Sequence, residues 1–313
     1  MPYYRFSEFL REKYGTKVYK LPVNIPAGCP NRDGRLSDRG CIFCGEEGAG
    51  FECLPDSLSV QGQIRMNAEY IGPHYGSRKF IAYFQNFSNT YLPFNSFRQY
   101  VFDACMDGIV AVYISTRPDC ISDPYLEFLQ EVKQSRDVDI VLEIGLQTVN
   151  YRTLDFLNRG HMLAEFIDAV LRIKKYGLGI CAHLILDLPM DTMEDVVEGA
   201  RILSALRVDQ VKCHSLYFLK NTALGDMYNR NEVLPVAFGE YVERAISFLE
   251  YLDPGIVVQR LIGRSPEERS LFCNWGMSWR KIHDLIEEKM TKEGRRQGSR
   301  FDYLNGKACM RDF

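Results

Sequence analysis

Three cysteines stand on one short polar segment, Cys29-Pro-Asn-Arg-Asp-Gly-Arg-Leu-Ser-Asp-Arg-Gly-Cys41-Ile-Phe-Cys44. A C-x-x-C pair with a third cysteine nearby can hold zinc or an iron-sulfur cluster, since both take thiolates. The number of ligands separates the two. A structural zinc site is closed by four ligands, and Cys53 is the candidate fourth. A cluster that keeps one iron open for a substrate or cofactor needs only three. The loop is rich in Gly, Asp and Arg and has few apolar anchors of its own, which suits a segment wrapped around either group. Three unrelated core thiols fit poorly, because Cys-Ile-Phe-Cys lies in a polar loop. Taken alone, the loop leaves zinc and iron-sulfur open.

The remaining seven cysteines, Cys53, Cys105, Cys120, Cys181, Cys213, Cys273 and Cys309, are isolated. Ten unpaired-looking cysteines in a chain with no apolar leader argue for metal or redox chemistry over a disulfide framework. Cys105 and Cys181 sit among apolar neighbours and read as small core residues. The N-terminus, MPYYRFSEFLREKYG, lacks the apolar stretch of a secretory signal, and no apolar run approaches the roughly 20 residues of a membrane span. The expectation is a cytoplasmic protein without membrane contact. With 46% hydrophobic and 25% charged residues and a net charge of −3, the chain is not a strongly basic nucleic-acid binder, although a local basic patch is compatible with that balance.

The elements that must position the loop follow from periodicity. Short β-branched and aromatic runs recur at Val18–Ile25, Phe80–Gln85, Ile109–Ser115, Asp139–Leu146, Ile180–Leu186 and Gln210–Tyr217, with a weaker run at Ile256–Ile262. Between them lie stretches of helical period, among them Ser57–Ile71, Pro124–Lys133, Leu163–Lys175 and Met193–Leu206. Gly177 is placed to end the third of these in a left-handed conformation, and Asp191-Thr192 to start the fourth. Strands alternating with helices imply βα units and a parallel sheet, either open or barrel-like, with functional residues just past the strand C-termini. The texture changes near Pro266. Trp275–Met290 reads as a helix, and Lys292–Phe313 as a polar, loosely held tail bearing Arg295, Arg296 and Arg300. The expected organisation is a barrel unit over 1–264 and a C-terminal extension over 265–313.

Further phrases fall at the strand ends. Thr116-Arg117-Pro118-Asp119 follows the third strand, and Glu143-Ile-Gly-Leu-Gln147-Thr148 lies on the fourth. Asn158-Arg159-Gly160-His161 comes soon after, and His183-Leu-Ile-Leu-Asp187-Leu-Pro189 forms the fifth strand and its exit. With Phe43 before the last cysteine, this ordered set resembles the radical S-adenosylmethionine (SAM) superfamily over nearly the whole chain, and within it the subgroup of the Elongator catalytic subunit. Tyr83-Phe84-Gln85-Asn86-Phe87, Lys220-Asn221-Thr222-Ala223-Leu224 and Trp275…Lys281…Gln297-Gly298 look like its prokaryotic YhcC/YtqA-like branch.

The resemblance implies an α/β fold, a partial (β/α)6 TIM-like barrel of parallel strands with a C-terminal helical extension. It implies one 4Fe-4S cluster on Cys29, Cys41 and Cys44, with SAM on the open iron. Gln85 and Asn86 stand where a Gly-Gly-Glu motif often holds the SAM amino group. Gln147 matches a glutamine that approaches SAM, and Arg159 an arginine whose planar fork suits the SAM carboxylate. Glu143 and His183 complete the expected SAM contacts. No catalytic residue on the protein is assigned. Reduction by a donor such as flavodoxin or ferredoxin would cleave SAM to methionine and a 5′-deoxyadenosyl radical that abstracts hydrogen from substrate. The branch further implies a tRNA substrate, with 5-carboxymethylaminomethyl-(2-thio)uridine at the wobble position converted to the 5-aminomethyl form. Arg295, Arg296, Arg300, Lys289 and Lys292 are the candidate phosphate contacts. Two other readings stay open on sequence alone: a radical SAM enzyme acting on a small molecule or protein, and a non-catalytic zinc module.

Overall fold

Parallel strands buried on both faces carry near-continuous apolar runs, and the expected strands are of that kind. The computed structural model describes residues 1–45, 48, 50, 52–263 and 265–309. Arg264, the last residue of the expected barrel unit, and the last four residues of the extension lie outside the described residues. The elements in order are α1 (Phe6–Tyr14), β1 (Val18–Val23), α2 (Val60–Tyr75), β2 (Lys79–Phe84), α3 (Phe94–Ala104), β3 (Ile109–Thr116), α4 (Asp123–Arg136), β4 (Asp139–Gln147), α5 (Tyr151–Phe156) and α6 (Leu163–Lys175). There follow β5 (Gly179–Ile185), α7 (Met193–Ala205), β6 (Gln210–His214), β7 (Phe218–Leu219), α8 (Ala223–Asn229), α9 (Phe238–Tyr251), β8 (Val257–Arg260), β9 (Ser270–Phe272) and α10 (Trp279–Glu293). Seven strands form one sheet in the order β1-β2-β3-β4-β5-β6-β8, every pair parallel. The weak seventh run is thus a full member of the sheet, one strand beyond the six expected βα units. β7 and β9 form a separate antiparallel pair.

The sheet is curled into a partial barrel. Lys20 on one edge strand, β1, reaches Gln259 on the other, β8, with Nζ donating to Oε1 at 2.7 Å. In a flat seven-stranded sheet those edges would stand about 29 Å apart, six spacings of about 4.8 Å. The convex face carries the main core. Leu21, Phe84, Val112, Ile114, Leu142 and Ala182 pack against Phe97, Leu129, Phe166, Val170, Leu203 and Leu249 of the helices. The concave face is closed at one end by α1, whose Phe6, Phe9 and Leu10 pack with Val18, Ile81, Tyr113, Val141 and Cys181. The segment leading into α1 also bridges the seam, with Val258 N donating to Tyr4 O at 2.9 Å.

The C-terminal segment differs from expectation in two ways. The expected helix Trp275–Met290 is interrupted. Asn274, Trp275 and Gly276 take positive φ values of 52°, 51° and 70°, and α10 begins afresh at an N-cap, Ser278, whose side chain accepts from Lys281 N. The tail is also tied down through Arg300. Arg295 donates to Glu243 at 2.7 Å and Glu250 at 2.8 Å. Buried Gln297 accepts from Tyr4 N and donates to Asp253 O and Ile256 O, each at 2.8 Å. Lys289 pairs with Glu243 as well. Three of the expected phosphate contacts, Arg295, Lys289 and, at 3.6 Å from Glu250, Arg300, therefore have carboxylate partners on α9. No helix among the described residues is long and apolar enough to cross a membrane.

Candidate active site

The cysteine loop leaves β1 at the C-terminal end of the sheet and is held there by the segment after α5. Asn31, fully buried, donates to Asn158 O at 2.6 Å, and Asn158 Nδ2 donates back to Gly40 O at 2.6 Å. Gly160, at φ +68°, lies so close to Asn31 that a Cβ there would sit 2.7 Å from Oδ1. Within the loop, Arg32 ties the last turn by donating to Cys44 O at 2.8 Å and Gly45 O at 2.6 Å. The phrase Asn158-Arg159-Gly160-His161 is in this sense a brace for the thiols. Arg159 NH1 points at Cys41 Sγ at 3.2 Å, and Asn31 Nδ2 at the same sulfur at 3.5 Å. Arg117, whose guanidinium grips Asp119 through two hydrogen bonds of 2.9 and 2.7 Å, donates to Arg159 O at 2.7 Å. Behind them His161 is buried and neutral. Desolvation and the adjacent Arg159 and Arg117 charges push it down to about 2, and its Nε2 receives Arg159 NH2 at 2.9 Å.

These features fit a thiolate-held cluster better than zinc. Zinc–sulfur bonds of about 2.3 Å in a tetrahedron bring sulfurs to within about 3.8 Å of one another. Among the described residues, the only three Cys, His, Asp or Glu ligand atoms gathered within 4.8 Å are those of Glu143, Cys181 and His183, so the three loop thiols are not drawn together to that degree. Cys53, the candidate fourth zinc ligand, has its sulfur 3.9 Å from Gln85 Oε1, and burial with the nearby Glu52 pushes its thiol up to about 12. N–H donors aimed at a cysteine sulfur are what an anionic cluster takes from its surroundings. The Arg159 and Arg117 charges beside Cys41 supply compensating positive potential.

A cavity of about 360 Å³ opens beside Cys44. Of the expected SAM contacts, Gln85, Gln147 and His183 line it. Gln147 is aimed there by a bulge in β4, where the register slips between Gly145 and Gln147 and Gln147 takes φ 76°, an uncommon backbone conformation for a residue with a side chain. Asn86, Glu143 and Arg159 stand behind the lining. Asn86 donates to Asn24 Oδ1 at 2.9 Å and is packed so tightly on Gly50 that any Cβ there would overlap its amide. Arg159 is engaged with Cys41, Gly145 O and His161.

Glu143 sits at the centre of a buried charged layer across the concave face. Its Oε1 accepts from Lys20 and, at 3.0 Å, from Gln259 Nε2. Its Oε2 accepts from Lys212 at 2.9 Å and from His183 Nε2 at 2.8 Å. Burial alone would raise this carboxyl, but the Lys20 and Lys212 charges outweigh it and hold Glu143 well below the usual range. Lys212 is drawn down to about 7 by burial, against the pull of Glu143. His183 is drawn to about 4 by burial and the Lys212 charge. With both carboxylate oxygens taken, the Glu143–Cys181–His183 group is a hydrogen-bonded core, not a vacant metal seat. Lys20, Lys212, His214, Tyr217 and Arg260 were not singled out from sequence. For Lys20, Lys212, His214 and Arg260 the only signal there was position along β1, β6 and β8, which marks the face and not the role, and Tyr217 lies in the link between β6 and β7.

Comparison with known proteins places these features. The family model described as the radical SAM superfamily matches residues 23–203, and the radical SAM C-terminal domain matches 208–292. The uncharacterized protein MJ0486 of Methanocaldococcus jannaschii is 32% identical over 301 residues, covering 95% of this chain and 92% of that protein. YtqA of Bacillus subtilis is 29% identical, covering 98% and 95%. A tRNA uridine(34) acetyltransferase of M. jannaschii is 28% identical over 192 residues, 59% of this chain and 33% of that protein. Among solved structures, the Elp3 of Methanocaldococcus infernus superposes with a TM-score of 0.67 at 17% identity, over 90% of this chain and 64% of that one.

Proposed function

This chain belongs to the radical SAM superfamily, and we propose that it is the member that modifies wobble uridine in tRNA, converting the 5-carboxymethylaminomethyl group of (2-thio)uridine to 5-aminomethyl. Membership makes it a radical SAM enzyme, for which a 4Fe-4S cluster and SAM are the implied cofactors. Cys29, Cys41 and Cys44 would hold three irons. When bound, the cluster and SAM supply one-electron cleavage of the SAM C5′–S bond, with flavodoxin or ferredoxin as the donor. The residues of the chain do the rest. Arg159 and Asn31 donate to Cys41 Sγ, and Gln85, Gln147 and His183 offer polar groups to SAM beside Cys44. Phe43, Ile185 and Leu216 line the same cavity, where apolar surface excludes water from a reactive species.

The observation that carries the class is the three-thiol loop with its N–H donors and, among the described residues, no gathered fourth ligand. The uridine reading is supported by the 28% identity to a protein named for chemistry on tRNA uridine 34. The test is anaerobic reconstitution with iron and sulfide analysis, followed by reduction with SAM. 5′-deoxyadenosine should form in proportion to converted nucleoside when tRNA bearing the carboxymethylaminomethyl group is added. Release stimulated by a small metabolite or peptide, and not by tRNA, would favour a different substrate. A zinc-loaded, colourless protein that never cleaves SAM would overturn the reading altogether.

A further inference from the structure

The buried layer of the barrel is unbalanced in charge. Facing the cavity and its floor are Lys20 from β1, Lys212 and His214 from β6, Arg260 from β8, His183 from β5 and Glu143 from β4, with the exposed Glu52 on the lining of both cavities that Arg260 borders. Glu143 is committed to Lys20 and Lys212. Both histidines are kept neutral by burial and by the neighbouring cations. Arg260 is left over. Among the described residues no carboxylate lies within ion-pair distance of it. Its hydrogen bonds run through NH2 to the His214 ring, 2.7 Å from Nδ1, and its Nε is buried without a partner. Next to it, Tyr217 OH is also buried without a partner. Gly263 makes this arrangement possible, since a Cβ there would meet Tyr217 OH at 1.9 Å and His214 Nδ1 at 3.3 Å. Arg260, His214 and Tyr217 line the same cavity as Cys44. Arg260 also borders a second cavity of about 690 Å³, lined by Lys20, Tyr83 and Trp279.

Arg260 is half-buried, but its Nε is shut off from water without a partner; such an idle edge is costly unless an anion meets it, and the planar fork matches a carboxylate. We propose that Arg260, fixed by His214 and joined by Tyr217, is the seat for a carboxylate of the substrate, holding the reacting group in the cavity beside Cys44. This rests on the substrate reading above and sharpens it. Of the two groups compared, only the 5-carboxymethylaminomethyl side chain carries an anion, so the seat would distinguish substrate from product. His214, being neutral, accepts from the guanidinium and orients it without adding a second charge. The other carboxylate that could reach the cavity is that of SAM.

The test uses reconstituted holoenzyme with Arg260→Gln, Arg260→Lys and Tyr217→Phe, each checked for iron content and thermal unfolding. The expected result for Arg260→Gln is a rise in KM for tRNA bearing the carboxymethylaminomethyl group on the order of 10- to 100-fold, as loss of a charge-assisted pair gives. SAM affinity and substrate-free SAM cleavage should stay within about twofold of wild type, a range far below the cost of losing such a pair. Arg260→Lys should recover part of the loss and Tyr217→Phe should lose less. Weakened SAM binding in Arg260→Gln with unchanged tRNA KM would overturn the proposal and give the seat to SAM. Failure of wild-type protein to act on any tRNA would count against the uridine reading instead. The seat is then read by titrating wild type and Arg260→Gln with N-methylglycine and with its uncharged amide. Arg260-dependent binding of the acid alone supports the seat, and equal binding of both overturns it.

Discussion

At the scale of single residues, the site is decided by which side chain faces which. Cys44 lines the cavity while Cys53 lies against Gln85. Cys44→Ala should abolish assembly of a SAM-cleaving cluster, and Cys53→Ala should leave iron and sulfide content unchanged, as metal analysis after anaerobic reconstitution would show. Equal loss in both variants would argue for a fourth protein ligand. His161 gives a pH signature. Its folded value is depressed to about 2, below an ordinary value near 6.5. As pH falls below about 6.5 the unfolded chain binds a proton that the folded chain does not, so the stability associated with neutral His161 is lost progressively. In His161→Gln that loss is absent. The variant should be less stable than wild type at pH 7, and the gap should narrow by up to about 1.4 kcal/mol per pH unit below 6.5, read by chemical denaturation at several pH values. A gap independent of pH would mean that the ring titrates normally.

At the scale of elements, two backbone irregularities place the chemistry. The bulge that ends β4 turns Gln147 toward the cavity, and the left-handed Gly160 lets the segment after α5 lie on Asn31. Gly160→Ala would add left-handed strain of about 1 kcal/mol and force its Cβ onto Asn31 Oδ1. The expected outcome is a lowered Tm together with faster loss of iron on chelator challenge, since the brace and the thiol loop share Asn31. An alanine there that left iron retention unchanged would separate the brace from the loop. Periodicity located the seven strands of the main sheet and named α2, α4, α6 and α7, but not α3 or α9. It could not show the bulge, because a one-residue slip leaves the apolar pattern of β4 nearly intact.

At the scale of the whole molecule, closure of the curled sheet depends on both termini. The lead into α1 bridges to β8, and the tail pins that lead through Gln297. Arg295 secures the tail against Glu243 and Glu250, the latter buried. Arg295→Ala should cost about 1–3 kcal/mol, because it strips the buried Glu250 of its nearer cation and leaves only Arg300 at 3.6 Å. It should leave the salt dependence of tRNA binding unchanged, since that guanidinium is already paired. A smaller salt slope with unaltered Tm would return Arg295 to the phosphate-binding role that its neighbours in sequence suggested. An isolated basic cluster looks the same in sequence whether it meets solvent, phosphate or an acidic helix 50 residues away.

By itself the sequence determined a thiolate-bound metal, zinc or iron-sulfur, and a parallel α/β sheet, and the order of its phrases pointed to the radical SAM family. The cysteine spacing, the order of the strand-end phrases and the strand–helix alternation are local in the chain and survive without coordinates. Only the tertiary structure decided which polar groups meet. Lys20, Glu143, Lys212 and Gln259 come from four strands spread over 240 residues and become one layer because the sheet curls. The same curling brings Arg260 to the cavity beside Cys44 with, among the described residues, no carboxylate partner. Those outcomes depend on long-range pairing, which alternation along a strand fixes only to a face and never to a partner.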